Sequence, residues 1–186
     1  MNIKETKLQD AYLIQPLILN DNRGYFSERF NKNKFEEKIG NFNVIQINKS
    51  KSDYGVLRGL HFQKPPYTQA KIVEVLDGIV LDVIVDIRKD SLTFGQHQSF
   101  ILDSVGKQQL FVPRGFAHGF VTLSETATFQ YMVDNRYSSS YEGGIRYNCY
   151  DLDIDWKINK PIISEKDMDL NYYSEQTFFT TEEYLQ

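Results

Sequence analysis

The pair Asp77-Gly78 constrains the fold of this chain most, because runs of β-branched residues and leucine lead into it and out of it. An Asp-Gly pair between two such runs is the strongest short-range signal of a β-hairpin. A two-residue turn here predicts two opposed pairs of residues, Val73 with Asp82 and Lys71 with Ile84. The centre of the chain should therefore be antiparallel sheet.

Short strands follow each other along the rest of the chain, with turn residues between them. We expect them at 44–48, 56–62, 97–103, 108–112, 117–123 and 128–133. Helical patterns are limited to 33–39 and a short piece at 180–184, and the less periodic stretch from Asp151 onward should wrap the outside. With little helix and many short strands, the 186 residues predict one all-β domain, residues 1–186, built as a sandwich or closed barrel.

Charge and cysteine content exclude several classes of protein. The net charge of −4 disfavours a general nucleic-acid surface, which usually rests on a basic face. The single Cys149 cannot form a disulfide within the chain, and no apolar run approaches the roughly twenty residues that cross a membrane. The first residues lack the pattern of a signal peptide. We therefore expect a cytoplasmic protein that binds neither nucleic acid nor membrane.

Several predicted strands carry a long polar residue on a face that alternation assigns to the interior. A hairpin that turns near residues 124–125 would add one such pair, with His118 across from Tyr131. Polar faces often point to solvent, but so many in one small barrel favour a ligand site at its mouth. The residues concerned are Gln46, Asn48, Lys71, His118 and Tyr131.

Five short motifs hold most of the residues that could do chemistry. They are RGLHFQ at 58–63, QAK at 69–71, DVIVDIRK at 82–89, PRGFAHGF at 113–120 and SEKD at 164–167. In this order they resemble the dTDP-4-dehydrorhamnose 3,5-epimerases, and the similarity runs from Leu17 to Asp167. The resemblance implies a double-stranded β-helix, the jelly roll of cupin-type barrels, with a few short peripheral helices. It also implies a homodimer without metal or cofactor.

The same resemblance implies a reaction and its catalytic residues. The family's substrate is dTDP-4-dehydro-6-deoxy-D-glucose, in which one C4 ketone acidifies both the C3 and the C5 proton. His61 matches the base that removes these protons, and Asp167 matches the carboxylate that orients it. Lys71 matches the cation beside the enolate oxygen, and Tyr131 matches the acid on the opposite face of the sugar. The implied product is dTDP-4-dehydro-L-rhamnose.

Further residues match positions that bind the substrate in this family. Arg58 and His118 match contacts near the sugar and the phosphates, and Tyr137 matches an aromatic that stacks on thymine. The predicted hairpin adds Asp82 diagonal to Lys71, close enough to hold the ammonium. The other implied positions are Arg23 and Glu28, which would reach the nucleotide across a dimer, and Gln46, Asn48, Glu142 and Lys166.

Strict alternation conflicts with this assignment at one point. It places Arg58 and His61 on opposite faces of their strand, whereas the resemblance needs both side chains in the pocket. Gly59 lies between them and is a plausible site for a β-bulge, which would shift the register by one residue. We therefore predict an irregularity at Gly59.

The histidines argue against a metal site. Many cupin-type proteins hold a metal with a His-x-His pair, but no two of His61, His97 and His118 have that spacing. His97 lies beside a predicted turn and should be an ordinary surface residue. A site with Lys71 between the other two would repel a divalent cation. We expect no metal and no other cofactor.

Two positions depart from the family pattern, and two alternative functions stay open. Leu19 stands where many relatives have Phe, and Met132 follows Tyr131 where Lys is common; both should lie at the edge of the pocket or outside it. The nearer alternative is an enzyme of the same fold that inverts only C3 or only C5, or a 3,4-ketoisomerase. The other is a sugar-binding barrel without catalysis, which would need no His-Asp pair opposite a tyrosine.

Overall fold

The chain is strand-rich, with three short α-helices and two single-turn 3-10 helices, in a computed structural model that describes residues 1–186. The helices are α1 Lys32–Lys38, α2 Glu165–Met168 and α3 Thr181–Leu185, and the 3-10 turns are Ser139–Tyr141 and Tyr173–Glu175. The strands are β1 Asn2–Glu5, β2 Tyr12–Gln15, β3 Ile18–Asp21, β4 Gly24–Ser27, β5 Gln46–Asp53, β6 Leu57–Gln63, β7 Lys71–Asp77, β8 Ile79–Asp86, β9 His97–Asp103, β10 Gln109–Val112, β11 Phe116–Thr122, β12 Thr126–Val133 and β13 Glu142–Gly144.

Two antiparallel sheets make up the body of the molecule. One has six strands in the order β1-β2-β10-β7-β12-β5, and the other has five in the order β13-β6-β11-β8-β9. From β5 onward the chain crosses to the other sheet at almost every connection; only β8 and β9 are consecutive strands that pair within one sheet. This alternation is the winding of a double-stranded β-helix, so the predicted jelly roll is confirmed.

Apolar side chains form three layers around the two sheets. The middle layer lies between the sheets and takes residues from both, for example Val73 of β7 and Ile84 of β8. The outer face of the six-stranded sheet is covered by α1 through Phe35. The outer face of the five-stranded sheet is covered by the C-terminal stretch, whose Trp156 and Tyr184 are buried there. The prediction that this stretch wraps the outside is confirmed.

Both hairpin predictions are wrong. Asp77-Gly78 is a corner between the sheets, because β7 pairs with β10 and β12 whereas β8 pairs with β9 and β11. Gly78 has a φ of +84°, and a Cβ there would lie 2.2 Å from the carbonyl oxygen of Thr126. The local turn signal was sound, but contacts distant in sequence decide which strands pair after the turn. Residues 124–125 likewise connect strands of different sheets.

These crossings change which residues oppose each other. Lys71 is level with Val112 and Val133 instead of Ile84. Val73 is level with Leu110 and Tyr131 instead of Asp82. His118 is level with His61 on β6 and Ile84 on β8, so it does not pair with Tyr131.

The irregularity at Gly59 is confirmed. Between β6 and β11 the register advances by three residues on one strand, from Arg58 to His61, and by two on the other. Gly59 has a φ of +116°, and a Cβ there would lie 2.6 Å from the Cα of Gly119. Only glycine fits so close an approach of two strands. The bulge turns the side chains of Arg58 and His61 into the same cavity.

Strand positions agree with expectation in the middle of the chain and less well at its start. The predicted strand at 97–103 coincides with β9, and both predicted helices are present within one residue. Strands β1 to β4, and the short β13, were not predicted. None of the helices has the length and apolar character needed to cross a lipid bilayer.

Candidate active site

A cavity of about 340 Å³ opens between the two sheets. The five-stranded sheet contributes Arg58 and His61 from β6 and His118 from β11, and the six-stranded sheet contributes Asn48, Lys71 and Tyr131. Helix α2 closes one side with Lys166 and Asp167. An adjoining cavity of about 180 Å³ shares four of these residues and adds Gln46, Tyr137 and Glu142. Eleven of the fourteen predicted site residues therefore line one continuous cleft.

His61 and Asp167 form a hydrogen-bonded pair at the edge of the cavity. The ring Nε2 lies 2.7 Å from Oδ1 of the carboxylate, and 32% of the His61 side chain is exposed. The other carboxylate oxygen accepts the backbone N–H of Gly59 at 3.2 Å. Burial alone would raise the pKa of Asp167, but the bonds to His61 and Gly59 outweigh it and hold this pKa below its usual value. A carboxylate kept ionised in this way can orient an imidazole and stabilise its protonated form.

Lys71 lies at the start of β7 with its ammonium 6.0 Å from the centre of the Tyr131 ring. Burial lowers the pKa of Lys71 to about 8, although the charges of Asp82 and Glu142 act in the opposite direction. The ammonium makes no ion pair with Asp82, so the prediction that this carboxylate holds it directly is wrong. Asp82 acts on Lys71 only through the electrostatic field between the sheets.

Tyr131 faces the cavity from the sheet opposite His61. Burial raises the pKa of its phenol. A hydrogen bond with the Asn48 side chain and the charge of Arg58 lower this pKa, but they offset the effect of burial only in part. The hydroxyl therefore keeps its proton at neutral pH and is a donor. An imidazole and a phenol on facing walls, with an ammonium beside the phenol, provide a base, an acid and a stabilising cation for one reaction.

A second histidine–aspartate pair is buried deeper between the sheets. Nε2 of His118 lies 2.9 Å from Oδ2 of Asp82, and the two side chains are 7% and 0% exposed. The ring of Phe129 stacks against His118 at 6.1 Å. Oδ1 of Asp82 is buried and has no hydrogen-bond partner. Asp82 thus supports a residue of the cavity without lining it.

Charged and aromatic residues meet at the rim. The Lys166 ammonium donates to both oxygens of Glu142, at 2.8 and 2.7 Å, and the Tyr137 hydroxyl donates to Glu142 at 2.6 Å. Burial alone would raise the pKa of Glu142, but the bonds from Lys166 and Tyr137 outweigh this effect, so the pKa is lowered overall. Within the cavity the Arg58 Nε donates to Ser52 at 3.1 Å. Arg58, Lys71 and Lys166 concentrate positive charge in a chain whose net charge is −4, which suits an anionic ligand.

Arg23 and Glu28 lie outside this cleft. Arg23 is at the turn of the β3–β4 hairpin, bonded to Asp21, with 85% of its side chain exposed. Glu28 follows β4 and accepts from Asn31 and Lys34. The hairpin pairs with neither large sheet, so within one chain these two residues are not part of the site.

The two positions that depart from the family pattern, Leu19 and Met132, do not line the cleft. Met132 is buried in the outer layer beneath α1, and Leu19 is exposed on the β3–β4 hairpin, so both are outside the cavity. A larger cavity of about 490 Å³, lined by Arg114 and Asp134 among others, contains none of the predicted site residues. No three His, Cys, Asp or Glu side chains gather where they could hold a metal ion.

Two groups that hold Asp167 in place were not predicted from the sequence. Ser164 lines the cavity, and its hydroxyl oxygen accepts the backbone N–H of Asp167 at 3.1 Å. The second is the backbone N–H of Gly59, which donates to the Asp167 carboxylate. The pattern of a serine three residues before an acidic residue is a helix-capping signal and could have identified Ser164.

Comparison with known proteins identifies the family. A family model described as dTDP-4-dehydrorhamnose 3,5-epimerase matches residues 5–175. The chain belongs to the dTDP-4-dehydrorhamnose 3,5-epimerase family. A protein of that name from Shigella flexneri is 42% identical over 180 residues, which are 96% of this chain and 99% of the relative.

Solved structures of epimerases are similar throughout. The crystal structure of the dTDP-4-dehydrorhamnose 3,5-epimerase of Elizabethkingia anophelis NUHP1 has a TM-score of 0.93 at 49% identity and covers 96% of this chain and 99% of that one. A dTDP-6-deoxy-D-glucose-3,5-epimerase of Legionella pneumophila, solved in complex with dTDP-4-keto-L-rhamnose, has a TM-score of 0.92 at 40% identity, with 96% and 97% covered. The fold and the family therefore agree with the resemblance found in the sequence.

Proposed function

We propose that this chain converts dTDP-4-dehydro-6-deoxy-D-glucose to dTDP-4-dehydro-L-rhamnose by epimerisation at C3 and C5. The main support is structural: His61 and Tyr131 line one cavity from facing sheets, and Lys71 lies beside the tyrosine. Inversion of a carbon centre needs a base on one face of the sugar and a donor on the other. Membership of the epimerase family supports the same reaction.

In the proposed reaction the neutral His61 imidazole removes the proton from the carbon next to the C4 ketone. The electrons move to the ketone oxygen, and the Lys71 ammonium stabilises the enolate that forms. Tyr131 then donates its proton to the same carbon from the opposite face, which inverts the centre. Solvent returns a proton to the phenolate and removes one from His61, and the cycle repeats at the second carbon.

The remaining polar residues of the cleft are proposed to hold the nucleotide sugar. Arg58 and His118 contact the sugar and the phosphates, and the exposed ring of Tyr137 stacks on thymine. Gln46 and Asn48 lie side by side, with the Gln46 amide donating to Asn48 at 2.7 Å, and offer further polar contacts. Glu142 and Lys166 complete the rim.

We further propose that the enzyme is a homodimer in which the β3–β4 hairpin contacts a second copy. The hairpin belongs to neither large sheet, and a two-stranded hairpin alone is at best marginally stable. The hairpin and the residue before it carry exposed apolar side chains, which mark interaction surfaces when they cluster. They are Leu17, Leu19, Tyr25 and Phe26, exposed by 58%, 54%, 58% and 68%. Such packing would bring Arg23 and Glu28 to the cleft of the partner.

Sedimentation of Phe26→Glu tests the dimer. A charge in the buried centre of the contact should shift the protein toward monomer, because the buried carboxylate would have no partner. Leu92→Glu is the matched control, since Leu92 is 90% exposed in the loop between β8 and β9. Loss of the dimer in both variants, or in neither, would contradict the proposed surface.

NMR of the product tests the function. Enzyme treated with EDTA should convert the dTDP-linked 4-keto-6-deoxyglucose to a product inverted at both C3 and C5, since the proposed steps use no metal or other cofactor. Parallel reactions with UDP- and GDP-linked sugars define the nucleotide preference. Inversion at one carbon, or a ketone moved to C3, would assign the alternative enzyme activities. Binding without any solvent-hydrogen exchange would indicate a sugar-binding protein. The cytoplasmic location stays a prediction.

A further inference from the structure

We infer that Ser164 is a positioning residue for the base: its hydroxyl fixes Asp167, and through Asp167 it sets the orientation of the His61 ring. The inference rests on the proposed function, since it assumes that His61 removes the substrate proton. Ser164 itself is not required to touch the substrate. Its effect is transmitted through one hydrogen bond to the backbone of Asp167.

Asp167 is the only hydrogen-bond partner of the His61 ring. The carboxylate binds β6 at two points, because Oδ1 bonds the His61 ring and Oδ2 accepts the N–H of Gly59 in the bulge of the same strand. Asp167 itself belongs to α2, a segment distant in sequence from β6. The angle of the imidazole in the cavity therefore depends on where α2 holds this carboxylate.

Helix α2 has only four residues, which is too short to be stable through its own hydrogen bonds. Ser164 is its N-cap, with extended backbone angles, and both its hydroxyl and its carbonyl oxygen accept the N–H of Asp167 at 3.1 Å. Outside the Asp167 contacts, the side-chain link from α2 to the barrel is the Lys166–Glu142 ion pair at the exposed rim. Exposed ion pairs of this kind contribute little. Backbone hydrogen bonds at Ile162 and Asn171 tie the two ends of this segment to the barrel. Between these ends, the serine hydroxyl is the side-chain restraint that acts on the backbone of Asp167 itself.

A second cap in the chain provides a matched control. Thr180 caps α3, and its hydroxyl accepts the N–H of Glu183, three residues later, as Ser164 accepts that of Asp167. Helix α3 lines neither part of the cleft. Loss of either hydroxyl removes this capping bond, and loss of the Thr180 hydroxyl also removes its donation to the Glu183 carboxylate. Only the change at Ser164 should affect the reaction.

The test compares Ser164→Ala, Ser164→Gly, Ser164→Thr and Thr180→Ala by steady-state kinetics and by solvent-deuterium exchange. In Ser164→Ala we expect kcat to fall about three- to tenfold with KM within about twofold, because small displacements of catalytic groups slow the chemical step. Exchange and inversion should slow together, since both need His61. Ser164→Thr should keep nearly the full rate, because it retains the hydroxyl and Ser164 is exposed.

Ser164→Gly separates the loss of the hydroxyl from unfolding of the helix. Glycine is a good N-cap, so this variant keeps the helix end but lacks the hydroxyl. It should be as slow as Ser164→Ala, and Thr180→Ala should have the wild-type kcat. Wild-type kcat in both hydroxyl-free variants at Ser164, or an equal loss in Thr180→Ala, would overturn the inference. If the wild-type protein does not epimerise the sugar at all, the proposed function fails instead.

Discussion

The molecule contains two histidine–aspartate pairs that differ in their surroundings. His61–Asp167 lies at the edge of the cavity, joins β6 to a four-residue helix, and leaves 32% of the histidine side chain exposed. His118–Asp82 joins two neighbouring strands, β11 and β8, and both side chains are almost fully buried. The same two residue types are therefore set for different tasks. The partly exposed ring of His61 can exchange protons with substrate and solvent, whereas the buried His118–Asp82 pair supports the wall of the cavity.

Matched substitution of the two histidines tests this comparison most strongly. Both rings bond their aspartate through Nε2, which an asparagine side chain is too short to reach. His61→Asn should lower kcat by about 10³-fold, since a positioned base typically contributes 10²–10⁴-fold. Its free energy of unfolding should change by only about 1 kcal/mol, because His61 is partly exposed and the buried Asp167 keeps its bond from the Gly59 N–H. Steady-state kinetics and urea unfolding measure the two effects.

His118→Asn should have the opposite profile. Asp82 loses its one hydrogen bond and stays buried, which should lower the free energy of unfolding by about 2–4 kcal/mol. Residual turnover by the folded fraction should exceed that of His61→Asn. If instead His118→Asn were stable and inactive while His61→Asn were active, the roles of the two pairs would be reversed.

Asp167→Asn should have an intermediate effect. The amide keeps the shape of the carboxylate but cannot stabilise a charged imidazole, and it can favour the wrong tautomer of His61. We expect kcat to fall by less than in His61→Asn, because the base itself remains. A loss as complete as that of His61→Asn would indicate that the carboxylate takes part in proton transfer directly.

The smallest expected effect is a shift in the pH profile caused by the buried pair. Lys71 must be protonated to stabilise the enolate, so kcat/KM should fall as pH rises through about 8, its pKa in the folded enzyme. The charge of Asp82 raises this pKa, so Asp82→Asn should move the alkaline limb to lower pH. Profiles of the two proteins that coincide would show that Asp82 does not act on Lys71.

The lowered pKa of Lys71 also predicts how stability depends on pH, and this trend is opposite to that of activity. The pKa of Lys71 is about 8 in the folded protein, whereas in the unfolded chain it has its ordinary value of 10.5. The unfolded chain therefore binds this proton more tightly. Between these two pH values Lys71 therefore contributes a rise in the free energy of unfolding, while activity falls. Lys71→Met should remove this contribution, which urea unfolding at several pH values can measure.

The sequence predicted the fold class and most of the site, but not how the strands pair. Strand periods and turn residues are local, so β9 and both helices were located well. The Asp77-Gly78 turn is also local, yet the partners of β7 and β8 are set by contacts between sheets, and a hairpin was wrongly inferred. The Gly59 bulge was predictable because alternation places Arg58 and His61 on opposite faces of the strand, whereas the family resemblance requires both in one pocket.

Missed features have similar physical causes. Strands β1 to β4 are short and partly exposed, so alternation along them is too weak to be recognised. Asp82 was predicted to hold the Lys71 ammonium, but its hydrogen bond goes to His118 and depends on the pairing of β8 with β11. Its charge only raises the pKa of Lys71. The role of Gly59 N–H toward Asp167 also depends on tertiary structure, because the two residues meet only when α2 packs on β6.

A base and an acid that act from facing sheets are central to the proposed reaction. Turnover of Tyr131→Phe in D2O is the sharpest test of this arrangement. His61 and Lys71 are intact in this variant, so His61 can still remove a proton and return a deuteron to the same face. We expect exchange at C3 and C5 to persist in the recovered substrate while inversion slows by about 10²–10⁴-fold. Inversion of both carbons at the wild-type rate would contradict the account, since Tyr131 would then be only an aromatic wall of the cavity.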